Sequence, residues 1–565
     1  MGTRRPAALF CLAALLAAPV MGDEPRGAAD PDFSRLSITD FLLKARSLVK
    51  PRTPASSAPA PAKGAPVPSI FDPAFSFSPS ALPAVGAGGV FSAHGDSDGQ
   101  IALLTNGEAS LAARLQTLRG ATRSIRIEAL IFFGDETGLY IADILKRLKA
   151  ERPGLDIRVI VDSLSNMVDE KAKKDPARWA QTQLMYYDLE QNGIPVEGFA
   201  PIAAEWVNEV SVKDPVQFNK RFHDKLWIVD GETPQGVAIM GGMNVANEYF
   251  RMEASPEHRW RDQDIIVRGS VVADLVETFD RNFKYQEAVK ASRGPFNTDL
   301  TLAAFLKIVG AMGHLPFRYR IENPGGGRPA QFKIKYFEDP SVVARIRALE
   351  QTVSAPAFSP AKTRFIQSRP RLKETYITQA YLAMIKSARS EILIANAYFI
   401  PRGDVLRALQ AAVRRGVDVT ILTNSDATND MPQLVDVSRF LYQDLLSAGE
   451  GSGGRISIHE WTGQAAGAPR QEGTMHAKYM VVDRQDMIVG SYNLDPRSEQ
   501  LNSETVMALE SAPLAQQLAR QYVEDDLFKA RLVTAEDAAL YHQPTDIAKK
   551  FRLGFSMSLD SWIGF

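Results

Sequence analysis

Short, nearly unbroken apolar runs bounded by polar turns recur along the chain, and two stretches repeat the same order of elements. Ala121-Thr122-Arg123-Ser124 leads into Ile125 to Phe132, and Ala388-Arg389-Ser390-Glu391 leads into Ile392 to Phe399. Each reads as a helix end followed by a buried strand. Apolar residues at helical spacing follow in both, over Gly138 to Lys149 and Asp404 to Arg415, and a second strand begins at Leu155 (LDIRVIVDS) and at Val417 (VDVTILTNS). Strand, helix, strand at this spacing predicts a βαβ unit, and its recurrence predicts an internal repeat. The fold class is therefore α/β: two fused α/β/α halves related by a pseudo-twofold axis, with a functional site where they meet.

The remaining segments frame this repeat. Residues 1–22 carry Arg4 and Arg5, an apolar core from Ala7 to Ala18 and Gly22 at the end, the outline of a signal peptide whose core is too short to span a bilayer comfortably. Residues 23–95 are rich in Pro, Ala, Ser and Gly, with PRTPASSAPAPAKGAPVPS reading as a flexible linker and Phe33 to Val49 as one short amphipathic helix. The first half is assigned to 96–293, an irregular connector with Pro324-Gly325-Gly326-Gly327 to 294–362, the second half to 363–530 and a tail to 531–565. Phe551 to Phe565 of that tail is rich in Phe, Leu, Trp and Ile; packing against the main domain is the plainer reading and membrane contact the alternative.

Composition narrows the chemistry. The only cysteine, Cys11, lies in the leader, so the mature chain needs neither disulfides nor thiol chemistry and is compatible with export. The formal charge is −1, from 65 basic and 66 acidic residues, and losing Arg4 and Arg5 takes it from −1 to −3. That balance argues against affinity for nucleic acid through a global basic field.

The densest group of reactive side chains is TMHAKYMVVDRQDMIVGSYNLDPRSEQLNSE, Thr474 to Glu504. His476 and Lys478 are two residues apart, which on a strand puts both on one face. Asp483 opens the turn Asp483-Arg484-Gln485-Asp486 and is expected to be structural. Gly490-Ser491-Tyr492-Asn493 follows a second apolar run, and its small residues would let the backbone and the Asn493 amide approach a ligand. One such pattern has only three fixed positions. The chain has it twice: His223, Lys225 and Asp230 repeat the spacing and are followed by Gly241-Gly242-Met243-Asn244.

Two His-x-Lys-(x4)-Asp motifs, each trailed by Gly-[Gly/Ser]-x-Asn, resemble the phospholipase D superfamily over roughly residues 100 to 530, and GGMNVANEYF and GSYNLDPRSEQLNSE resemble its bacterial cardiolipin synthase-like branch. The resemblance implies a catalytic set of His223, Lys225, Asp230, His476, Lys478 and Asp483 working by double displacement. One histidine attacks phosphorus; the other protonates the leaving oxygen and then activates the acceptor. Family analogy favours His223 as nucleophile and His476 as acid/base. The residue types suit this: two ammonium groups, the amides of Asn244 and Asn493, and the neighbouring Ser491 and Gly242 would hold the phosphate oxygens. A nucleophilic imidazole also needs its second nitrogen held by an acceptor. Glu504 is the candidate within the second half and Asp262 within the first, with Asp264 as substitute.

The other histidines, His94, His258, His314, His459 and His542, form no ligand spacing with Cys, Asp or His, so no metal and no cofactor are expected. The glycines at 325–327 lack the GK[ST] of a phosphate loop. Tyr398-Phe399-Ile400-Pro401 resembles the segment lining the site mouth in lipid-acting relatives, beside the plainer reading of a strand ended by proline. The implied partner is a phospholipid at a membrane surface, handled by a monomer exported to the periplasm or outside the cell. The implied reaction is phosphatidyl transfer, with hydrolysis to phosphatidic acid the nearest alternative, a nuclease the rival substrate class and a degenerate binding protein the non-enzyme reading.

Overall fold

The computed structural model describes residues 68–78, 95–162, 176–199, 221–292, 318–322, 331–336, 338–352, 356–370 and 374–542. The expected leader, the Phe33 to Val49 helix, most of the Pro-rich segment, the glycines at 325–327 and Phe551 to Phe565 lie outside the described residues, as do His94 and His314.

The first half supplies β1 (Ser97–Thr105), β2 (Ser124–Ala129), β3 (Asp156–Asp162), β4 (Val196–Phe199), β5 (Leu226–Val229), β6 (Val237–Gly241) and β7 (Gln263–Gly269). A separate hairpin follows, β8 (Arg318–Glu322) and β9 (Gln331–Lys335). The second half supplies β10 (Ser359–Ser368), β11 (Glu391–Asn396), β12 (Asp418–Asn424), β13 (Ile456–Trp461), β14 (Lys478–Val482), β15 (Asp486–Gly490), β16 (Glu504–Glu510) and β17 (Ala530–Leu532). All but the hairpin join one sheet, in the order β17-β13-β12-β11-β14-β15-β16-β10-β1-β7-β6-β5-β2-β3-β4. Apart from the added edge strand β17, this order is the same on both sides of the β10–β1 seam. Antiparallel pairing from Ser97 opposite Thr363 to Ile101 opposite Ser359 closes that seam, so the repeat read from the sequence is a true duplication of topology. The second half begins at Ser359, inside the stretch assigned to the connector.

The βαβ units form where the apolar spacing places them. The helix α1 (Glu136–Glu151) starts at Asp135, whose side chain accepts from the Gly138 N–H and so satisfies one of the orphan donors of the first turn. Its counterpart α2 (Gly403–Arg414) buries Val405, Ala408, Leu409, Ala412 and Val413, a stripe at three- and four-residue spacing. Among the described residues, most buried apolar side chains fall into three large clusters. One lies under the helices of each half. The third joins the halves, with Leu226, Ile228 and Phe279 of the first packed together with Ala395, Tyr479 and Leu518 of the second.

Part of the expected linker is packed rather than loose. Ile70 and Phe71 are buried in the second half's outer cluster, which stabilises the fold by on the order of 2 kcal/mol per side chain. Lys362 Nζ donates to the Phe71 carbonyl at 3.0 Å.

Candidate active site

The two His-x-Lys segments lead into β5 and β14, which run antiparallel to β2 and β11 respectively. Each segment is fixed across the seam as well. Phe222 bridges Ser503, and Met475 bridges Arg261. The His223 N–H donates to the Ser503 carbonyl at 2.9 Å and the His476 N–H to the Arg261 carbonyl at 2.7 Å. Ser503 and Arg261 immediately precede the two candidate carboxylates. Backbone pairing between the halves therefore delivers each carboxylate to the histidine of the opposite half.

This corrects the pairing expected from sequence. His223 Nδ1 donates to Glu504 Oε2 at 2.7 Å, and His476 Nδ1 donates to Asp262 Oδ2 at 2.9 Å. Asp264 serves neither imidazole: its carboxylate takes Ser110 Oγ at 2.6 Å and the Arg114 guanidinium at 2.9 Å. The carboxylates are held firmly. Glu504 also accepts from Ser491 Oγ, from Ser498 Oγ at 2.7 Å and from Asn502 Nδ2 at 3.3 Å. Asp262 accepts from the Gln263 N–H at 2.7 Å. A Cβ added at Gly242 would fall 2.2 Å from Asp262 Oδ1, so glycine is needed there for room. The expected phosphate-binding role of Ser491 and Gly242 gives way to one of supporting the two carboxylates, by a hydroxyl in one half and by an absent side chain in the other.

The two motif aspartates leave the site altogether. Asp230 and Asp483 sit at the far ends of β5 and β14, seven residues or roughly 20 Å of extended chain beyond the histidines. Asp230 accepts from the N–H groups of Thr122, Arg123 and Ser124 at 2.7–3.0 Å, and Asp483 from those of Arg389, Ser390 and Glu391 at 2.8–2.9 Å. Burial pushes both carboxyls up, but these hydrogen bonds outweigh it and hold them below the usual range. Both residues have positive φ, 52° and 50°, which a short polar side chain tolerates at a tight turn. The expectation for Asp483 as a turn residue extends to Asp230, and neither touches the pocket.

The pocket itself is buried and positively poised. Lys225 Nζ donates to the His223 carbonyl at 3.0 Å, and Lys478 Nζ donates to the His476 carbonyl. Burial lowers the two ammonium groups to about 7 and about 8, despite the opposing carboxylates. Burial, reinforced by the lysines, pushes both imidazoles well below their usual value, and His223 is further lowered by Arg497. Burial raises Glu504 to about 7 and raises Asp262 as well. These shifts favour neutral imidazoles, and with Nδ1 of each ring committed to a carboxylate it is Nε2 that is left for chemistry. Asn244 is held by its Oδ1, which accepts from the Ile131 N–H at 3.2 Å, and its buried Nδ2 has no partner. The buried Asn493 Oδ1 is also unpartnered, but an amide oxygen cannot donate to an anion. Asn244 Nδ2 is the spare donor that, with the two lysine ammonium groups, suits an anion with several oxygens.

Sequence reading missed the asymmetry of the surroundings. His476 lies against three aromatic rings, Tyr249 and Trp260 with centroids at 5.1 Å and Tyr398 at 6.5 Å. The Tyr398 hydroxyl donates to Asp430 at 2.8 Å, and Lys478 Nζ lies 6.0 Å from the Tyr398 ring centroid. Trp260 stands two residues before Asp262, the one local signal that could have pointed to it. The histidines outside the motifs stay outside the site: His258 is exposed, His459 is half-buried on β13, and His542 donates to the Phe440 carbonyl at 3.0 Å.

The family described as cardiolipin synthase, PLD-like domain, matches residues 115–285 and 381–525, one segment in each half. The chain belongs to the phospholipase D family. Both segments of the phospholipase D match contain a complete His-x-Lys motif and the carboxylate that crosses to the other half. The cardiolipin synthase of Geobacillus thermodenitrificans is 25% identical over 426 residues, 75% of this chain and 66% of that protein. Cardiolipin synthase 1 of Bacillus anthracis is 26% identical over 424 residues, 75% of this chain and 65% of that protein. The chain thus spans just under two thirds of these curated relatives. The crystal structure of phosphatidylserine synthase from Haemophilus influenzae superposes with a TM-score of 0.54 at 16% identity, covering 82% of this chain and 95% of that one, which shows a shared fold.

Proposed function

We propose that the protein is a phosphatidyltransferase that makes a cardiolipin-type product from two phospholipids. The observation that carries this reading is the pair of cross-held imidazoles, each with Nδ1 on a carboxylate of the opposite half and each beside a buried lysine. A phosphodiester entering this pocket restores the charge that burial suppresses on Lys225 and Lys478, because its oxygens replace the water those ammonium groups lost.

With the bound phosphate anion favouring the imidazolium form of His476, Nε2 of His223 attacks phosphorus while the P–O bond to the departing glycerol breaks, and that alkoxide takes the Nε2 proton of His476, which becomes neutral. His476 then removes the proton of an incoming lipid hydroxyl, whose oxygen attacks phosphorus as the P–N bond to His223 breaks. Glu504 stabilises the cationic His223 ring in the intermediate, and Asp262 does the same for His476 whenever it holds the extra proton. Arg497 beside His223 favours the neutral, nucleophilic form, which supports His223 as the attacking residue. The aromatic wall of Tyr249, Trp260 and Tyr398 at His476 suits an apolar acceptor better than water. The relatives' names point the same way. The leader-like residues 1–22 support extending the proposal to an exported protein acting peripherally at a membrane, and the presence of both His-x-Lys motifs in one chain supports a monomer.

The test is a product assay with purified protein on phosphatidylglycerol vesicles, with and without phosphatidylethanolamine, resolved by mass. Cardiolipin that disappears in His476→Ala supports transfer. Phosphatidic acid alone makes the protein a hydrolase. Cleavage of single-stranded DNA with no lipid product replaces the lipid reading by a nuclease.

A further inference from the structure

Behind Lys225 lie two buried carboxyl groups that the transfer chemistry does not use. Glu128 on β2 stands opposite Leu226 of β5, and Asp224 lies two residues before Leu226, which places both carboxyls on the sheet face covered by the helix α3 (Val272–Ser292). Both are essentially inaccessible, at 1% and 0% exposure. Glu128 Oε1 accepts from Asn282 Nδ2 at 2.8 Å. Asp224 Oδ2 accepts from Gln367 Nε2 at 2.5 Å and from Ser503 Oγ at 3.0 Å. The second oxygen of each, Glu128 Oε2 and Asp224 Oδ1, is buried without a hydrogen-bond partner. The equivalent positions in the second half are Ala395 and Ala477, so the fold itself does not require carboxyls here.

We propose that Glu128 and Asp224 carry one proton between them and that the resulting monoanion is a positioning group for His223. Two buried carboxylates on one sheet face, each with an unpartnered oxygen, repel each other, whereas a single proton leaves only one charge there. The link to the site runs through Ser503, whose hydroxyl is held by Asp224, whose carbonyl holds the His223 N–H and whose next residue is Glu504. The charged groups around the pair are Lys225 and Glu504 from the site and Arg281 from α3, with Arg126 two residues along β2 engaged by Glu232 and Asp280. Burial raises Glu128 well above its usual value, with the neighbouring Asp224 adding to the rise, and raises Asp224 to about 7, with Glu504 adding to it. As pH rises through that range the shared proton leaves, the pair becomes doubly charged beside Glu504, and the Ser503–Glu504 segment is pushed off His223.

The activity arm of this inference rests on the transfer reading; the stability arm does not. The test variant is Glu128→Gln, which keeps the shape, is neutral at every pH and has no proton to lose. A carboxyl raised in the folded state stabilises fully below its unfolded value and loses that contribution as pH rises through the folded value. The wild type is therefore expected to lose urea resistance between about pH 5 and pH 8, and Glu128→Gln to lose markedly less. At pH 6 the variant should keep kcat within about threefold, and the alkaline limb of kcat should move up by about one pH unit or more. Glu128→Ala, which restores the orphan, should lose kcat at every pH. Parallel urea midpoints for wild type and Glu128→Gln overturn the shared proton even if no lipid turns over. A changed midpoint with an unmoved kcat profile overturns the positioning role.

Discussion

Glu504, in the second half of the chain, hydrogen-bonds the imidazole of His223 in the first, at 2.7 Å, and that carboxylate is locked by Ser491, Ser498 and Asn502. The reciprocal pair, Asp262 and His476, makes the arrangement twofold. Neither half can therefore complete a histidine–carboxylate pair by itself, and the site exists only where the seam brings both together.

Glu504→Gln leaves the shape but removes the acceptor that fixes the His223 tautomer, so kcat should fall by about 10²–10⁴. Asp262→Asn should do the same through His476. Asp264→Asn, which weakens the Arg114 ion pair instead, should lower the melting temperature while sparing most of kcat. Steady-state rates and thermal unfolding of the three variants separate these outcomes.

Asp230 and Asp483 are the motif residues expected to matter for folding alone. Replacing either by Ala strands three backbone N–H groups, which should destabilise the protein by about 1–3 kcal/mol. Turnover per folded molecule should survive. Urea unfolding paired with active-site titration checks both statements.

The lysines set a pH window for substrate capture. Lys225 and Lys478 must be charged to receive the phosphate, and in the empty pocket burial brings them to about 7 and about 8. kcat/KM should therefore fall as pH rises through 7 and more steeply beyond 8, by up to about tenfold per unit for each proton lost. Orthovanadate affinity, measured from pH 6 to 9, should weaken over the same interval.

The ring of Tyr398 is expected to matter more than its hydroxyl. Tyr398→Phe keeps the wall beside His476 and loses only the bond to Asp430, whereas Tyr398→Ala opens the wall. The alanine variant should admit water and raise the ratio of phosphatidic acid to cardiolipin; the phenylalanine variant should not. Mass-resolved products from phosphatidylglycerol vesicles give the ratio directly.

The repeat, the two His-x-Lys pairs, both asparagines and both carboxylates were legible because they depend on local spacing: alternation on a strand, apolar stripes on a helix, small residues at a turn. Partner choice was not. Which carboxylate meets which histidine depends on the bridges Phe222–Ser503 and Arg261–Met475, contacts between segments more than 200 residues apart that no local pattern encodes. The same reason hid the support Ser491 gives Glu504, since a serine after glycine reads equally well as a phosphate ligand. Tyr249, Trp260 and the Glu128–Asp224 pair were invisible because each gains meaning only when distant elements pack.

The most direct test of the cross-held pocket is to trap its covalent intermediate. Purified protein is mixed with headgroup-labelled and acyl-labelled phosphatidylglycerol, quenched within the first turnover, digested and searched by mass for a phosphatidyl group on histidine. The account predicts that group on His223, free of the glycerol headgroup, in the unaltered protein, forming far more slowly in His476→Ala, which lacks the acid for the leaving glycerol, and absent from Glu504→Gln. A phosphatidyl group on His476, or an adduct on His223 that forms as readily without the Glu504 carboxylate, contradicts it.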